Sequence, residues 1–145
     1  MGIINDIAYK VGQVAGESKR KKDSIERVNQ QGEKENTRIS NMQNVAQNGN
    51  VNAMFDLGCC YLNGTYVALD TEKACHWWTQ AAERGHVSAQ YNLGLLYLGE
   101  ISASYYNENL AGFWVNAAAK NGDQEAVEWL KEFYYSKRKQ KWYKR

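Results

Sequence analysis

The sequence predicts an all-α fold in which antiparallel helix hairpins stack into a short α/α superhelix, or solenoid. The chain has 145 residues, a length that fits one domain. It contains 12 glycines but no proline, which suits helices joined by glycine turns. Hydrophobic residues make up 43% and charged residues 23% of it, as in globular rather than disordered chains. An internal repeat then specifies the architecture.

Two half-motifs recur with an offset of 36 or 37 residues. The first occurs as Gly49-x3-Ala53-x3-Leu57-Gly58-x2-Tyr61 and as Gly85-x3-Ala89-x3-Leu93-Gly94-x2-Tyr97, and a third copy begins as Gly122-x3-Ala126-x3-Leu130. The second occurs as Ala74-x2-Trp77-x3-Ala81-Ala82-x2-Gly85 and as Ala111-x2-Trp114-x3-Ala118-Ala119-x2-Gly122. Because so many positions recur in phase, the repeat defines one structural unit.

Each unit is predicted to be a helix-turn-helix hairpin. Apolar residues spaced by three or four lie on one helical face, and these are Ala53, Met54, Leu57 and Tyr61 in the first helix and Ala74, Trp77, Ala81 and Ala82 in the second. The turn signals are Gly64 after the first helix, Asp70 or Thr71 as the N-cap of the second, and Gly85 at its end. One hairpin cannot bury its apolar faces alone, so the hairpins stack.

The predicted helices follow the repeat in order. They span residues 37–47, 51–63, 71–84, 87–98, 107–120 and 123–142. The domain prediction has three parts: a charged helical or partly flexible leader (1–36), a repeat domain (37–130), and a capping helix with a basic aromatic tail (123–145). The repeat domain contains a half repeat followed by two full repeats, 49–84 and 85–121.

These motifs resemble the SEL-one-like repeat (SLR) family, which is related to tetratricopeptide repeats. The resemblance covers about residues 37–133, and residues 89–97 and 70–85 are very close to the family pattern. The loop from Glu100 to Asn109 departs from that pattern, and Leu110 replaces its lysine. The resemblance implies a right-handed superhelix that holds other proteins and performs no chemistry of its own.

A second face of the first helices is predicted to line a groove. This groove face, opposite the core stripe, consists of Asn52, Phe55, Cys59, Leu62, Ser88, Tyr91, Leu95, Leu98, Glu125 and Glu128. It is apolar at one end and acidic at the other, which suits an apolar or basic segment of a partner protein. The competing interpretation is that its aromatic residues pack against neighbouring helices.

Few residues suggest chemistry. The chain has three cysteines, Cys59, Cys60 and Cys75. This odd, low number predicts small buried thiols rather than a disulfide framework or a metal site. No nucleophile motif, carboxylate pair or phosphate-binding glycine loop accompanies His76 and His86, so neither an enzyme nor a cofactor is predicted. β-Lactam hydrolysis, suggested for some cysteine-rich relatives, would require regularly paired cysteines.

The net charge of +2 hides a strong asymmetry. The charge is +1 over residues 1–36, −5 over 37–130 and +6 over 131–145. The candidate tail residues are Lys137, Arg138, Lys139, Lys141 and Trp142. They predict either a solvated helix end or binding to nucleic acid, an anionic membrane or an acidic partner. Because the acidic body repels phosphates, the sequence favours the solvated end.

The residues therefore predict a non-catalytic module that binds another protein in its groove. Two specific forms are a bacterial immunity or antitoxin-like inhibitor and an adaptor in a larger complex. The alternative is nucleic-acid or membrane-surface binding through the tail. Reduced thiols, and the lack of a signal peptide or a long apolar run in this sequence, lead us to expect a cytoplasmic protein.

Overall fold

The computed structural model describes the backbone of residues 2–143 and the side chains of residues 17–133. That backbone contains six α-helices, one 3-10 helix and no β-strand. The α-helices are α1 (Gly2–Gln47), α2 (Val51–Asn63), α3 (Thr71–Glu83), α4 (Val87–Tyr97), α5 (Glu108–Lys120) and α6 (Gln124–Tyr143). From α2 onward each helix packs against the next, as hairpin stacking requires. The predicted all-α solenoid is confirmed.

The chain divides into two units, Met1–Arg38 and Ile39–Arg145. In the first unit α1 is helical from Gly2, although the repeat pattern starts a helix only at residue 37. Residues 17–36 are rich in Lys, Arg, Glu and Gln, which favour helix without needing tertiary contacts. Almost every described side chain in this unit is exposed, including Ile25 and Val28. Residues 17–36 are therefore helical although none of their described side chains is buried.

The core of the second unit is formed by one face of each helix. The predicted stripe of α2 is buried in full: Ala53, Met54, Leu57 and Tyr61. The large side chains that join it from other helices are Trp78, Leu93 and Leu96, each 1% exposed or less. A second, smaller cluster forms where α5 meets α6, and its buried members are Val115, Ala118 and Ala126.

One core position differs from the prediction. The repeated tryptophans Trp77 and Trp114 are only half-buried at the edge of the core, whereas the next residues, Trp78 and Val115, are fully buried. Trp78 lies four residues after the buried Ala74, and it also donates its Nε1–H to the carbonyl oxygen of Phe55 at 3.3 Å. The fully buried tryptophan of α3 is therefore Trp78 and not the repeated Trp77.

The glycine of each Leu-Gly pair lies against one of these two buried residues, Trp78 or Val115. A Cβ added at Gly58 would overlap the indole ring of Trp78, and one added at Gly94 would overlap a methyl group of Val115. The missing side chain lets the second helix of each hairpin approach the first closely. In the third copy, on α6, Lys131 replaces the glycine and is exposed. A second helix could therefore not approach α6 as closely at this point.

The caps form at the predicted residues. Gly64 ends α2 in the left-handed conformation at φ 67°, and Gly85 follows α3 with φ 87°. The Asp70 carboxylate accepts the Lys73 N–H at 2.9 Å and so caps α3. These bonds satisfy backbone groups that a helix end leaves without partners.

The loop that departs from the family pattern still closes in the same way as its counterpart. It contains the 3-10 helix Ala103–Tyr105, and the stretch from Tyr97 to Asn107 is one residue longer than its counterpart from Tyr61 to Asp70. The Asn107 N–H donates to the Tyr97 carbonyl at 2.8 Å, as the Asp70 N–H does to the Tyr61 carbonyl at 2.8 Å. The extra residue is therefore absorbed within the loop, and Asn107 caps α5.

Candidate functional site

The residues of the groove face lie at the protein surface to different degrees. On α2 and α4 the apolar members are half-buried, namely Phe55, Cys59, Leu62, Tyr91 and Leu95, as is Leu98, which follows α4. The polar members are exposed, and these are Asn52, Ser88, Glu125 and Glu128. None of the ten is fully buried, so each has surface that a partner could contact.

The two aromatic residues of this face also pack within the fold. The Phe55 ring stacks on the His86 ring, with centroids 4.4 Å apart and planes 17° from parallel. Tyr91 on α4 packs against the second core cluster, whose buried members lie on α5 and α6. The packing interpretation therefore holds for part of each ring. The remaining exposed surface is what a partner could use.

Acidic groups at the start of α6 act on the apolar part of the face. Burial raises the pKa of Tyr91, and the negative charges of Glu125 and Asp123 raise it further. Asp56 on α2 adds negative charge near Cys59, Cys60 and His86. The fold therefore brings carboxylates beside half-buried apolar residues, which creates a surface with both characters.

The cysteines are free and partly buried. Burial raises the pKa of the Cys59 and Cys60 thiols, with Asp56 adding to the effect, so the unreactive thiol form is favoured. The Cys75 sulfur lies 3.8 Å from the Tyr97 hydroxyl, and burial together with this contact raises the pKa of Tyr97 to about 12. Within the described part of the chain no three potential metal ligands of the His, Cys, Asp and Glu types group together.

Both histidines have local roles. His76 on α3 contacts the Gln80 side chain at 2.7 Å and the edge of the Trp77 ring. His86, expected at a solvated helix start, is instead half-buried and caps α4, because its Nδ1 accepts the Ala89 N–H at 3.2 Å. Burial lowers the pKa of His86 below the ordinary 6.5, and nearby Asp56 opposes this shift.

We expect the cap at His86 to make the repeat unit less stable in mild acid. Because the folded pKa lies below 6.5, the unfolded chain takes up the proton first as pH falls. The free energy of unfolding should therefore decrease as pH falls from 6.5 through the lowered folded pKa, and this decrease should level off below it. Urea unfolding across this range measures the effect.

The matched variant for this prediction is His86→Asn. Asparagine accepts the same N–H without titrating, as Asn50 does for Ala53 at 2.9 Å. The variant should lose the part of the pH dependence that comes from this residue. Equal slopes for both proteins between pH 5 and 7, within the range where histidines titrate, would remove His86 as the cause.

Two features were not found by sequence reasoning. Gln90 is buried, donates to the Ala82 carbonyl at 3.1 Å and accepts from the Asn121 side chain at 2.9 Å, so it joins the ends of three successive helices. A pocket of about 180 Å³ lies between α5 and α6. Gln90 has a weak sequence signal, because it lies on the helical face that carries the core residues of α4. The pocket depends on how two helices pack.

The predicted tail site lies outside the described side chains. The α6 backbone continues to Tyr143. No described helix is long and apolar enough to cross a membrane.

Comparison with known proteins agrees with the repeat architecture. The family model described as "Sel1 repeat" matches residues 51–86 and 87–123, just over half of the chain. The crystal structure of a Sel1 repeat protein from Oxalobacter formigenes is similar, with a TM-score of 0.59 and 30% identity over 63% of this chain.

The matched region represents 26% of the Oxalobacter protein, so this chain corresponds to about a quarter of it. No curated protein shows significant sequence similarity. Sel1 repeats are generally protein–protein interaction modules without catalytic activity. Two matched repeats, with the glycines and caps that the hairpins require, show that this chain belongs to the Sel1 repeat family.

Proposed function

We propose that the repeat unit binds a segment of another protein along the groove face of α2, α4 and α6, without a catalytic step. The observation that supports this most is that the same face carries half-buried apolar residues, such as Tyr91 and Leu95, and an exposed carboxylate, Glu125, whose charge acts on Tyr91. A binding surface gains specificity from charge and affinity from apolar contact. The expected partner segment therefore combines large apolar residues with lysine or arginine.

The partner's identity determines which specific role this binding serves. A toxin would make the protein an immunity or antitoxin-like inhibitor, and a component of a larger complex would make it an adaptor. Both forms use the same groove face and the same chemistry. A cytoplasmic location is part of this proposal.

Selection of displayed random peptides against the full chain tests the proposal. We expect enrichment of peptides with an aromatic or aliphatic residue close to lysine or arginine. Leu95→Asp introduces a charge into the apolar part, and Glu128→Lys reverses a charge in the acidic part. Each should weaken binding of the enriched peptides by about tenfold, which corresponds to about 1.4 kcal/mol.

The matched control is Leu69→Asp, because Leu69 is 66% exposed in the loop before α3 and outside the groove face. It should leave the affinity unchanged, with folding of every variant checked by circular dichroism. Enriched peptides that bind folded Leu95→Asp and Glu128→Lys as tightly as the wild type would contradict the groove. Affinity lost only in Leu69→Asp would move the site to another surface.

A further inference from the structure

The pocket between α5 and α6 is a surface cavity in the last repeat. Its volume is about 180 Å³. It is lined by Leu98, Glu108, Asn109, Gly112, Asn116, Trp129, Leu130 and Phe133. Leu98 is also a member of the groove face, so a segment that lies along that face passes the pocket edge.

The aromatic part of the pocket comes from α6. Trp129 and Phe133 are four residues apart, and their rings stack with centroids 4.9 Å apart and planes 18° from parallel. Aromatic ring faces attract cations, and they attract planar guanidinium groups most effectively. A cationic group in the pocket would therefore contact this aromatic pair.

The polar part comes from α5. Glu108 provides a carboxylate, and Asn109 and Asn116 provide side-chain amides. The Asn116 amide is held in place because its Nδ2 donates to the Gly112 carbonyl at 2.7 Å. A purely apolar occupant would remove water from these groups without replacing its hydrogen bonds, and an anion would be repelled by Glu108.

Size and charge agree with one basic side chain. An engineered cavity of about 150 Å³ accommodates benzene, so this pocket is large enough for a guanidinium and part of its stem. Glu108 is charged, and no Lys or Arg stands among the described residues that line the pocket, which favours a basic occupant. The stack, the carboxylate and the amides together match the ring-stacking face and the donor edge of arginine.

We propose that this pocket receives the guanidinium of an arginine side chain from the partner protein. The inference rests on the proposed function, because the arginine belongs to the segment bound along the groove face. The pocket supplies an anchor at the acidic end of that face. The neighbouring Leu98 allows the rest of the segment to continue onto the apolar part.

The test uses N-acetyl-L-arginine amide and the full, ¹⁵N-labelled chain, so it does not require the partner. The indole N–H signal of Trp129 is assigned by comparison with Trp129→Phe. We expect this signal to shift in a saturable manner, with a dissociation constant in the millimolar range typical of a single side chain. The neutral isostere N-acetyl-L-citrulline amide should bind about tenfold more weakly, because it lacks the charge.

Glu108→Gln should weaken binding of the arginine amide by several fold. Glu72→Gln, at the start of α3 and away from the pocket, should not change it. A Trp129 signal that does not move, or that moves equally with the citrulline and arginine amides, overturns the arginine site. Neither result bears on peptide binding along the groove face, which the peptide affinities of Leu95→Asp and Glu128→Lys test separately.

Discussion

Gly58→Ala should lower the free energy of unfolding by about 3 kcal/mol, although alanine normally stabilises a helix relative to glycine. The added methyl group would occupy space taken by the indole ring of Trp78, so α2 and α3 would have to move apart. Gly94→Ala should act in the same direction against Val115. Urea unfolding followed by circular dichroism measures both effects.

The control is Gly112→Ala on α5, where an added Cβ meets no atom within 4 Å. This variant should be more stable than the wild type by up to about 1 kcal/mol. A second check is the Trp78→Ala background, in which Gly58→Ala should cost far less because the ring is absent. If Gly58→Ala proves as stabilising as Gly112→Ala, close approach of α2 and α3 is not what the glycine provides.

Trp78→Ala should be among the most destabilising single substitutions in the repeat unit, at about 4 kcal/mol. The side chain is 1% exposed, so its removal leaves a cavity between α2 and α3. The bond from its Nε1–H to the Phe55 carbonyl is lost as well. Thermal and urea unfolding give the change in the free energy of unfolding.

Trp77→Ala is the matched comparison, since it removes the same atoms from the neighbouring residue. Trp77 is half-buried at the edge of the core, so the expected loss is less than half of that for Trp78→Ala. A larger loss for Trp77→Ala would show that the repeated tryptophan, and not its neighbour, is the core residue of α3.

The hairpin architecture could be predicted because its determinants are local. Glycines at fixed spacing, a capping Asp70 and apolar residues three or four apart specify helix ends and buried faces within one repeat. The choice between Trp77 and Trp78 could not be made in this way. Both lie near the apolar stripe, and the decision depends on Gly58 in another helix.

Residues 1–36 were predicted only as a charged helical or partly flexible leader, because they lie outside the repeat. The prediction followed the repeat, whereas residues 17–36 are helical without the repeat pattern and with almost no buried side chains. The loop before α5 also lacked a recognisable turn motif. Its closing bond, from Asn107 to the Tyr97 carbonyl, repeats a contact made in the first repeat despite the extra residue.

The candidate site could be predicted only in part. The helical phase of Phe55 and Tyr91 placed them opposite the core stripe, but the stacking of Phe55 on His86 needs the next hairpin to be in position. Similarly, the Trp129 and Phe133 spacing indicates one helical face. The cavity beside them depends on the neighbouring α5, in which Gly112 has no side chain.

The central claim, that the groove face binds a partner segment, is tested most directly by hydrogen–deuterium exchange of the full chain with and without a selected peptide. Backbone amides in contact with a bound segment exchange more slowly. Slower exchange is predicted in α2 (Val51–Asn63), α4 (Val87–Tyr97) and the described start of α6. Slower exchange confined to α3 (Thr71–Glu83) or to Met1–Arg38 would contradict it.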